Sequence, residues 1–351
     1  MTPDPVDKIV LREAAGSAGP VVVIDDVTGG LVLGAQPLTS GQPVRAHCDL
    51  LGDQERVTQE ARAADASVSW HSELSESLLA GANVVLLRLP KSLAALDEIA
   101  EAVASLAAPG VRLFAGGRVK HMTPGMNRVL RRHFRTVTAS LGQQKSRVLL
   151  ASEPAPAGQP SYPRCEQHDD LDLVVCAHGA AFAGTGVDAG TRMLLSLIPQ
   201  VAPEAHDVVD LGCGTGILAV LFARQHPGAA VRAVDESVAA CRSAAATARR
   251  NNVAERVTVQ QAAGLSGITG RSVDLVLCNP PFHRGTTRDS DAAFAMFADA
   301  GRALRQSGEL WTVYNSHLPY LPALRRLVGS TTVVGQSSSY TVTRSRVPAA
   351  R

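Results

Sequence analysis

The chain has 351 residues, of which 45% are hydrophobic and 19% charged, enough apolar material for two globular cores. It contains no run of eighteen apolar residues, which excludes a helical membrane span, and Met1–Asp7 lacks the basic and apolar regions of a secretory signal. The formal net charge is +2, but residues 112–152 hold nine basic and no acidic residues, leaving 25 basic against 32 acidic residues elsewhere.

The first half alternates strand and helix patterns, which favours an α/β fold with a parallel sheet. Apolar runs predict strands at Val21–Ile24, Val44–Cys48 and Val84–Leu89. A helix is predicted from Ser92, a suitable N-cap, to just before Gly110. Residues 153–163 contain four prolines and predict a semi-rigid linker between domains at 1–152 and 164–351.

The second half predicts seven strands and the helices between them. The first strand lies at Val208–Leu211 and precedes a helix at Ile217–His226. The later strands are predicted at Val231–Asp235, Arg256–Gln261, Val273–Cys278 and Glu309–Tyr314, with a closing pair at Thr331–Gly335 and Ser339–Val347. A helix between Asp291 and Gln306 is expected to bury Phe294, Phe297, Gly301 and Leu304.

The first half also resembles a degenerate copy of the second. Val44–Asp49 echoes Val231–Asp235, and Leu87–Lys91 falls where Cys278–Phe282 would. The copy lacks alternate glycines, and Arg88 donates where an acceptor would be needed. The alternative interpretation is that the two halves share only an alternation of strands and helices.

A glycine turn marks a candidate nucleotide site. Gly212, Gly214 and Gly216 follow the first strand of the second half, and Asp235 ends the next strand, 19 residues after Gly216. A dinucleotide dehydrogenase has similar parts, but here the spacing is G-x-G-x-G and Asp210 precedes the turn. That carboxylate repels a pyrophosphate and attracts the ammonium of S-adenosylmethionine, so the pattern favours methyl transfer.

The tetrapeptide Asn279-Pro280-Pro281-Phe282 indicates which atom receives the methyl group. An exocyclic amine conjugated to an aromatic ring is a poor nucleophile until its N–H bonds are held. The Asn279 amide oxygen can accept one N–H and the Pro280 carbonyl the other, while Phe282 stacks on the flat ring. Positioning and charge complementarity then replace a general base. A plain strand followed by a Pro-Pro turn is the structural alternative.

Together these motifs resemble the bacterial ribosomal RNA guanine-N2 methyltransferases. The resemblance is carried by residues 182–191, 208–216, 234–237, 277–283, 308–310 and 315–320, and covers nearly the whole chain. It implies two tandem class I methyltransferase (Rossmann-like) domains, each with a mostly parallel seven-stranded sheet, the N-terminal one degenerate. The family has two sister groups, one that modifies small-subunit 16S RNA and one that modifies large-subunit 23S RNA. The sequence at residues 234–237 and 277–283 is closer to that of the large-subunit group.

The resemblance also implies roles for individual residues. Gly190 and Thr191 would hold the methionine end of S-adenosylmethionine, with Asp210, Gly212, Gly214 and Gly216 along its middle and Asp235 at the ribose. Asn279, beside the cofactor, would grip the target guanine with Pro280 and Phe282. The family usually offers Asn or Asp to the adenine, whereas this chain has Gln261, whose longer side chain presents the same amide oxygen.

The basic stretch of the first domain predicts a platform for ribosomal RNA or a ribosomal subunit precursor. The predicted RNA-binding residues are Arg118, Lys120, Arg128, Arg131, Arg132, Arg135, Lys145 and Arg147, together with His283, Arg284 and Arg288 after the catalytic turn. A solvated surface in an arginine-rich chain is the alternative, since only four of the 34 basic residues are lysine.

The six cysteines lie mostly in apolar runs and predict reduced thiols in a cytoplasmic protein. A monomer is expected. Cys165, His168, Cys176 and His178 resemble a zinc clip, but the strand pattern between them favours core cysteines, so no metal is expected. Two other functions stay open: methylation of a protein glutamine amide, and catalytically silent RNA binding during ribosome assembly.

Overall fold

The chain divides into two compact units in a computed structural model that describes residues 4–156, 158–201, 204–280 and 287–349. Unit 1 comprises Met1–Tyr162 with His178–Ala180, and unit 2 comprises Pro163–Ala177 with Ala181–Arg351. Within the described ranges, no helix is long and apolar enough to cross a membrane.

Unit 1 is a seven-stranded sheet with helices on its faces. Its strands are β1 (Val21–Ile24), β2 (Val44–His47), β3 (Val68–Trp70), β4 (Val84–Arg88), β5 (Arg112–Arg118), β6 (Phe134–Ala139) and β7 (Ser146–Pro154). Its helices are α1 (Pro5–Ala14), α2 (Gly30–Ala35), α3 (Leu51–Ala63), α4 (Glu76–Leu79), α5 (Leu93–Leu106) and α6 (Pro124–His133). The strand order is β3-β2-β1-β4-β5-β7-β6, with β7 antiparallel to both neighbours and the other pairs parallel.

Unit 2 begins with a hairpin of β8 (Arg164–His168) and β9 (Leu173–Ala177) and continues with a second seven-stranded sheet. The strands of this sheet are β10 (Asp207–Leu211), β11 (Ala230–Asp235), β12 (Val257–Gln261), β13 (Val273–Cys278), β14 (Leu304–Asn315), β15 (Ser330–Gln336) and β16 (Tyr340–Arg346). The helices are α7 (Ala189–Leu195), α8 (Ile217–Gln225), α9 (Val238–Arg250), α10 (Thr287–Ala303) and α11 (Leu321–Leu327).

The two large sheets have the same topology, which confirms the internal duplication. The order in unit 2 is β12-β11-β10-β13-β14-β16-β15, the order of unit 1 strand for strand. Gly29 and Gly216 are both left-handed N-caps of the helix after the first strand. Aligning them and following the strand pairing places Arg88 at the position of Asn279.

The same alignment corrects one detail of the repeat. Ile24 pairs with His47, and its counterpart Leu211 pairs with Val234, so the residue that matches Asp235 is Cys48. The sequence comparison had matched Asp49 instead. Strand pairing decides the register here, because the two segments differ in length by one residue. The carboxylate that would bind ribose is therefore a buried thiol in unit 1.

Burial explains why these segments fold as predicted. Strand β1 and most of β4, β10 and β13 are buried, as expected for parallel strands covered by helices on both faces. All seven residues from Ile217 to Ala223 of α8 are buried, so that helix lies inside unit 2. Ser92 caps α5 by accepting a hydrogen bond from the Ala95 N–H at 3.2 Å, as the sequence predicted.

Two predictions about local structure were wrong. Helix α10 ends at Ala303 rather than near Gln306, and the buried Leu304 begins β14. An apolar residue at that point fits either element, so the pattern could not decide. Cys165 and Cys176 form a disulfide instead of being free thiols, because the β8–β9 register places them directly opposite each other.

Candidate active site

A cavity of about 650 Å³ opens in unit 2 at the carboxyl ends of β10, β11 and β13. Its volume lies within the roughly 300–1,000 Å³ typical of small-molecule sites. Ligands of open α/β sheets bind at this edge, where loops leave adjacent strands in opposite directions. Among the residues predicted from sequence, Thr191, Gly212, Gly214, Asp235, Asn279 and Pro280 line the cavity.

The glycine turn after β10 forms one wall of the cavity. Gly212 and Gly214 have φ values of 74° and 53°, in the left-handed region that residues other than glycine rarely adopt. A Cβ on Gly214 would have no atom within 4 Å, so the glycine leaves open space beside the backbone. A ligand can therefore approach the peptide closely.

Asp235 is held rigidly at the end of β11. Its Oδ2 accepts a hydrogen bond from the Gly214 N–H at 3.0 Å, and its Oδ1 accepts one from the Ser237 N–H at 3.0 Å. These bonds tie the carboxylate to the glycine turn and to the start of α9. The half-buried carboxylate lines the cavity, in the position suited to ribose hydroxyls.

Asp210 lies beneath this wall and does not line the cavity. It is buried, and its Oδ2 accepts a hydrogen bond from the Ala219 N–H at 3.0 Å. Its Oδ1 has no hydrogen-bond partner among the described residues. Burial raises the pKa of Asp210 to about 7, with a smaller contribution from the negative charge of Asp235. A cationic ligand in the cavity would favour the ionised form.

The amide of Asn279 is held in one orientation. Its Nδ2 donates to Asp188 Oδ2 at 3.1 Å and to Thr191 Oγ1 at 2.9 Å, both at the start of α7. Its Oδ1 is buried and has no hydrogen-bond partner within the part of the chain that the structure describes. Because a buried acceptor without a donor is costly, this oxygen fits a donor brought by a ligand.

Sequence reasoning missed Asp188. It is the N-cap of α7, and its Oδ2 accepts hydrogen bonds from the N–H groups of Gly190 and Thr191 at 2.9 and 3.1 Å. The same oxygen accepts from Asn279. An Asp that directly precedes a helix is the sequence signal of such a cap, but it gives no indication of the second role.

Other predicted residues lie elsewhere. Gly190 is buried, and neither it, Gly216 nor Gln261 lines the cavity. The Gln261 Nε2 donates to the Glu236 carbonyl at 3.0 Å, and the nearby wall is formed by residues 262–264. Phe282, His283 and Arg284 lie outside the described residues, and Arg288 belongs to α10.

The equivalent place in unit 1 is filled by its own side chains. Asp26 accepts hydrogen bonds from the N–H groups of Thr28 and Gly29 through Oδ1, and from those of Leu31 and Val32 through Oδ2, at 2.9–3.0 Å. These N–H groups surround the start of α2, where a glycine turn would otherwise meet a ligand.

Arg88, at the position of Asn279, pairs with the fully buried Asp7 at 2.7 Å and with Asp4 at 3.4 Å. Asp4 is the N-cap of α1 as Asp188 is of α7, and Asp7 follows it by three residues as Thr191 follows Asp188. Unit 1 has thus replaced the amide network with an ion-pair network.

The predicted RNA-binding residues of unit 1 differ in their surroundings. Arg118 pairs with Asp4 at 3.4 Å and Arg132 with Asp97 at 3.3 Å. The other six are exposed and form no ion pair with any described residue: Lys120, Arg128, Arg131, Arg135, Lys145 and Arg147.

Comparison with known proteins gives the family. The methyltransferase small domain matches residues 172–344, and the RLMG N-terminal domain matches residues 4–155. The ribosomal RNA large subunit methyltransferase G of Pseudomonas fluorescens (strain Pf0-1) is 34% identical over 353 residues, covering 98% of this chain and 92% of the relative. The chain belongs to the ribosomal RNA large subunit methyltransferase G family. The member from Stutzerimonas stutzeri (strain A1501) is 38% identical over 267 residues, covering 74% of this chain and 70% of the relative.

A solved structure supports the fold. The T. thermophilus 16S rRNA N2 methyltransferase RsmC, in complex with AdoMet and guanosine, matches with a TM-score of 0.76 and 20% identity. The match covers 98% of this chain and 92% of the other. Both units are therefore methyltransferase-like domains, as the sequence predicted.

The family makes the chain an S-adenosylmethionine-dependent methyltransferase. The described residues fit this cofactor. Asp235 offers a fixed acceptor for a ribose, Gly214 leaves room at the backbone, and the orphaned Asp210 oxygen lies below the same wall. Unit 1 offers none of these three features at the equivalent positions.

Proposed function

We propose that this enzyme methylates the exocyclic N2 of a guanine in large-subunit ribosomal RNA. The observation that carries the proposal is the orientation of Asn279, whose Nδ2 is committed to Asp188 and Thr191 while its buried Oδ1 lacks a partner among the described residues. An amine with two N–H bonds supplies the donor that this oxygen needs. The large-subunit assignment rests on the names of the relatives.

The catalytic role of Asn279 is to hold one N–H of the guanine amine, with the Pro280 carbonyl taking the second. Holding both protons in fixed directions draws the nitrogen lone pair out of conjugation with the ring and toward the methyl donor. The amide cannot ionise, so it stays an acceptor at every physiological pH. Its contribution is positioning and electrostatic complementarity to the charge that develops on nitrogen.

Thr191 and Asp188 maintain this arrangement. If the amide were rotated by half a turn, its NH₂ group would face the guanine amine and repel it. The two acceptors at the start of α7 oppose that rotation, because the Asn279 oxygen would then face the Asp188 carboxylate. We therefore assign Asp188 as a positioning residue rather than a catalytic one.

Asp235, Gly214 and the start of α7 are proposed to hold the cofactor, with Asp210 acting on its positive charge from beneath the wall. S-adenosylmethionine, when bound, supplies an electrophilic methyl group on a sulfonium. The guanine nitrogen would take the methyl group as the methyl–sulfur bond breaks and a neutral thioether leaves, and would afterwards lose one proton to water, so the protein needs no strong base. Phe282 is proposed to stack on the base, and Gln261 and Gly190 to support the ends of the cofactor.

Unit 1 is proposed to bind the RNA. It contains the whole segment from 112 to 152, in which nine basic residues occur without an acidic one. We propose a monomeric enzyme that acts in the cytoplasm on ribosomal RNA or a subunit precursor. Gel filtration with light scattering measures the oligomeric state.

The decisive test is to map N2-methylguanosine in both ribosomal RNAs from cells that lack the gene. We expect its loss at one position of the large-subunit RNA, and its restoration when the purified enzyme and S-adenosylmethionine are added to that RNA. Unchanged N2-methylguanosine in both RNAs, or a methyl group on another atom or on a protein glutamine, would overturn the proposal.

A further inference from the structure

The exposed basic residues of unit 1 form two groups at opposite ends of its strands. Arg118 pairs with Ser146 and Arg112 with Ser152 along β5 and β7, so the carboxyl end of β5 lies beside the start of β7. Lys120, Lys145 and Arg147 lie at this end. Helix α6 and the start of β6, with Arg128, Arg131 and Arg135, lead to the opposite end, where Phe134 pairs with Pro154. The rise of the strands separates the two ends by about 20 Å.

We propose that the RNA-contact surface of unit 1 lies at the first of these ends, where β5 finishes and β7 starts. We name it the hairpin patch and define it as Lys120, Leu141, Lys145 and Arg147. The proposal rests on the RNA substrate proposed above and adds where on unit 1 the polyanion binds. The alternative surface is the helix group, defined as Arg128, Arg131 and Arg135. The sequence also predicted these three residues to bind RNA, and the proposal excludes them from the contact surface.

The turn that carries Lys145 has two consecutive residues other than glycine in the left-handed region. Gln144 and Lys145 have φ values of 48° and 60°, and Gln143 and Ser146 on either side bond to each other through both backbone N–H groups at 2.9 and 2.8 Å. Two central residues with positive φ define a type I′ turn, in which Asn-Gly is the favoured pair. Keeping two long side chains in this backbone costs free energy, and such strain is concentrated at functional sites.

The turn is also fixed to its surroundings. The Val119 N–H donates to the Lys145 carbonyl at 2.9 Å, and the Arg118 guanidinium donates to the Gln144 carbonyl at 3.3 Å. The side chain of Gln143 accepts a hydrogen bond from Arg12. Two neighbouring segments thus hold the turn, so binding a partner would need little ordering of the backbone.

The patch combines positive charge with an exposed apolar residue. Leu141 is 88% exposed, which makes it the most exposed of the large apolar side chains in the described chain. A Cβ placed on its neighbour Gly142 would lie 3.8 Å from the guanidinium of Arg147, so that cation lies beside the apolar residue. Cations contact phosphates, and an apolar side chain contacts a base or sugar. Nucleic acid offers both next to each other.

The helix group lacks this combination. Asp97 beside it binds Arg132 and His133, and Glu153 accepts a hydrogen bond from Thr136 at 3.1 Å. Acidic groups therefore lie among these arginines, and they lower the local positive potential. Near the hairpin patch, Glu13 is paired with Arg12, which contacts Gln143, and Asp4 is paired with Arg88 and Arg118. Both carboxylates are therefore matched by arginines outside the patch.

The test compares two triple variants of the full-length protein that each remove three positive charges. One is Lys120→Ala/Lys145→Ala/Arg147→Ala, and the matched control is Arg128→Ala/Arg131→Ala/Arg135→Ala. Binding to a deproteinised large-subunit rRNA transcript is measured by filter binding over a range of salt concentrations. Three lost phosphate contacts reduce the slope of log Kd against log salt by about 2, which is about 100-fold in Kd at 0.1 M relative to 1 M salt.

We expect that reduction for the hairpin variant and less than a threefold change in Kd for the control. An unchanged slope in the hairpin variant, or an equal reduction in the control, would overturn the proposal. Wild-type enzyme is assayed for N2-methylguanosine in parallel. If it forms this product while the hairpin variant binds RNA normally, only the location of the patch is wrong. If it forms none, the proposed function fails regardless of the salt slopes.

Two single variants separate the apolar contact of the patch from its charged contacts. Leu141→Ser should raise Kd without changing the salt slope, because it removes an apolar contact and no charge. Lys145→Gly should raise Tm, since glycine relaxes the turn, and yet weaken RNA binding. Equal RNA affinity in Lys145→Gly and wild type would remove Lys145 from the patch.

Discussion

Asn279 Nδ2 lies 3.1 Å from Asp188 Oδ2, so a residue at the end of β13 is oriented by the residue that caps α7. The same carboxylate oxygen accepts the N–H groups of Gly190 and Thr191. One atom therefore sets both the start of a helix at the proposed cofactor site and the direction of the amide proposed to hold the substrate. Folding of this segment and readiness for catalysis are coupled through it.

Asn279→Ala is expected to reduce kcat by about 100- to 1,000-fold, the usual cost of losing one well-placed catalytic hydrogen bond. Binding of S-adenosylmethionine, measured by calorimetry, should change little, because the lost oxygen faces the methyl acceptor. Asn279→Asp is the matched variant of equal size. It should be at least as inactive, since it loses the Nδ2 donor and places a second carboxylate beside Asp188. An active Asn279→Ala enzyme would contradict the mechanism.

Asp188 variants separate the cap from the orientation of the amide. Asp188→Ala should lower kcat about tenfold or more and destabilise the protein by about 1 kcal/mol, the typical value of an N-cap. Asp188→Asn keeps an oxygen in the place of Oδ2 and should rescue both properties. Asp188→Ser keeps the cap but is too short to reach Asn279, so it should restore Tm and leave kcat low. Full activity in the serine variant would show that only the cap matters.

The affinity for S-adenosylmethionine should depend on pH through Asp210. Burial raises the pKa of this residue to about 7 in the folded protein, so the free enzyme is partly protonated there. A bound cation lowers that pKa, and affinity therefore rises by up to about tenfold per pH unit below 7 and levels off above it. Asp210→Asn should bind with little dependence on pH from 5 to 8. A parallel pH dependence in this variant would exclude Asp210 as the source.

The stability of the free protein should respond in the opposite direction. Because the pKa of Asp210 is raised on folding, the unfolded chain loses the proton first, and stability falls as pH rises from about 4 to about 7. Asp210→Asn should therefore unfold at a higher Tm than wild type at pH 8 and at a similar Tm at pH 4. Thermal unfolding at the two pH values measures this difference.

Each chain should bind one molecule of S-adenosylmethionine. Unit 1 has Cys48 in place of Asp235, and its equivalent turn is filled by Asp26. Calorimetry should therefore give a stoichiometry of one, and Asp235→Ala should abolish measurable binding rather than halve it. Cys48→Ala is the control in unit 1 and should leave cofactor affinity unchanged. A second binding event that survives Asp235→Ala would show that unit 1 retains a site.

Much of the fold could be predicted because buried parallel strands are nearly continuous apolar runs. Val84–Leu89 and Val273–Cys278 were predicted within one residue of β4 and β13. The end of α10 was not, since Leu304 fits a helix or a strand equally well. The disulfide of Cys165 and Cys176 was not predicted either, because it depends on which residues face each other across β8 and β9.

The sequence predicted those site residues whose type and position indicate a single chemical role. Asn279 and Asp235 are such residues, and both line the cavity. Asp188 was missed because a capping aspartate has a sufficient structural role already. The place of Asp210 beneath the wall, rather than in it, follows from the pleat of β10 and the path of the glycine turn, which no spacing of sequence letters reveals.

The Arg88–Asp7 pair makes the loss of activity in unit 1 hard to reverse. Changing Arg88 to an amide would leave the fully buried Asp7 without its cation, a change that typically costs about 3–5 kcal/mol, whereas Asp4 would keep Arg118. Replacing Asp7 first with threonine, the residue at its counterpart Thr191, would leave Arg88 with only the more distant Asp4. Each single substitution toward a second active site therefore destabilises the protein. The Arg88–Asp7 pair thus disfavours an evolutionary return of catalytic activity to unit 1.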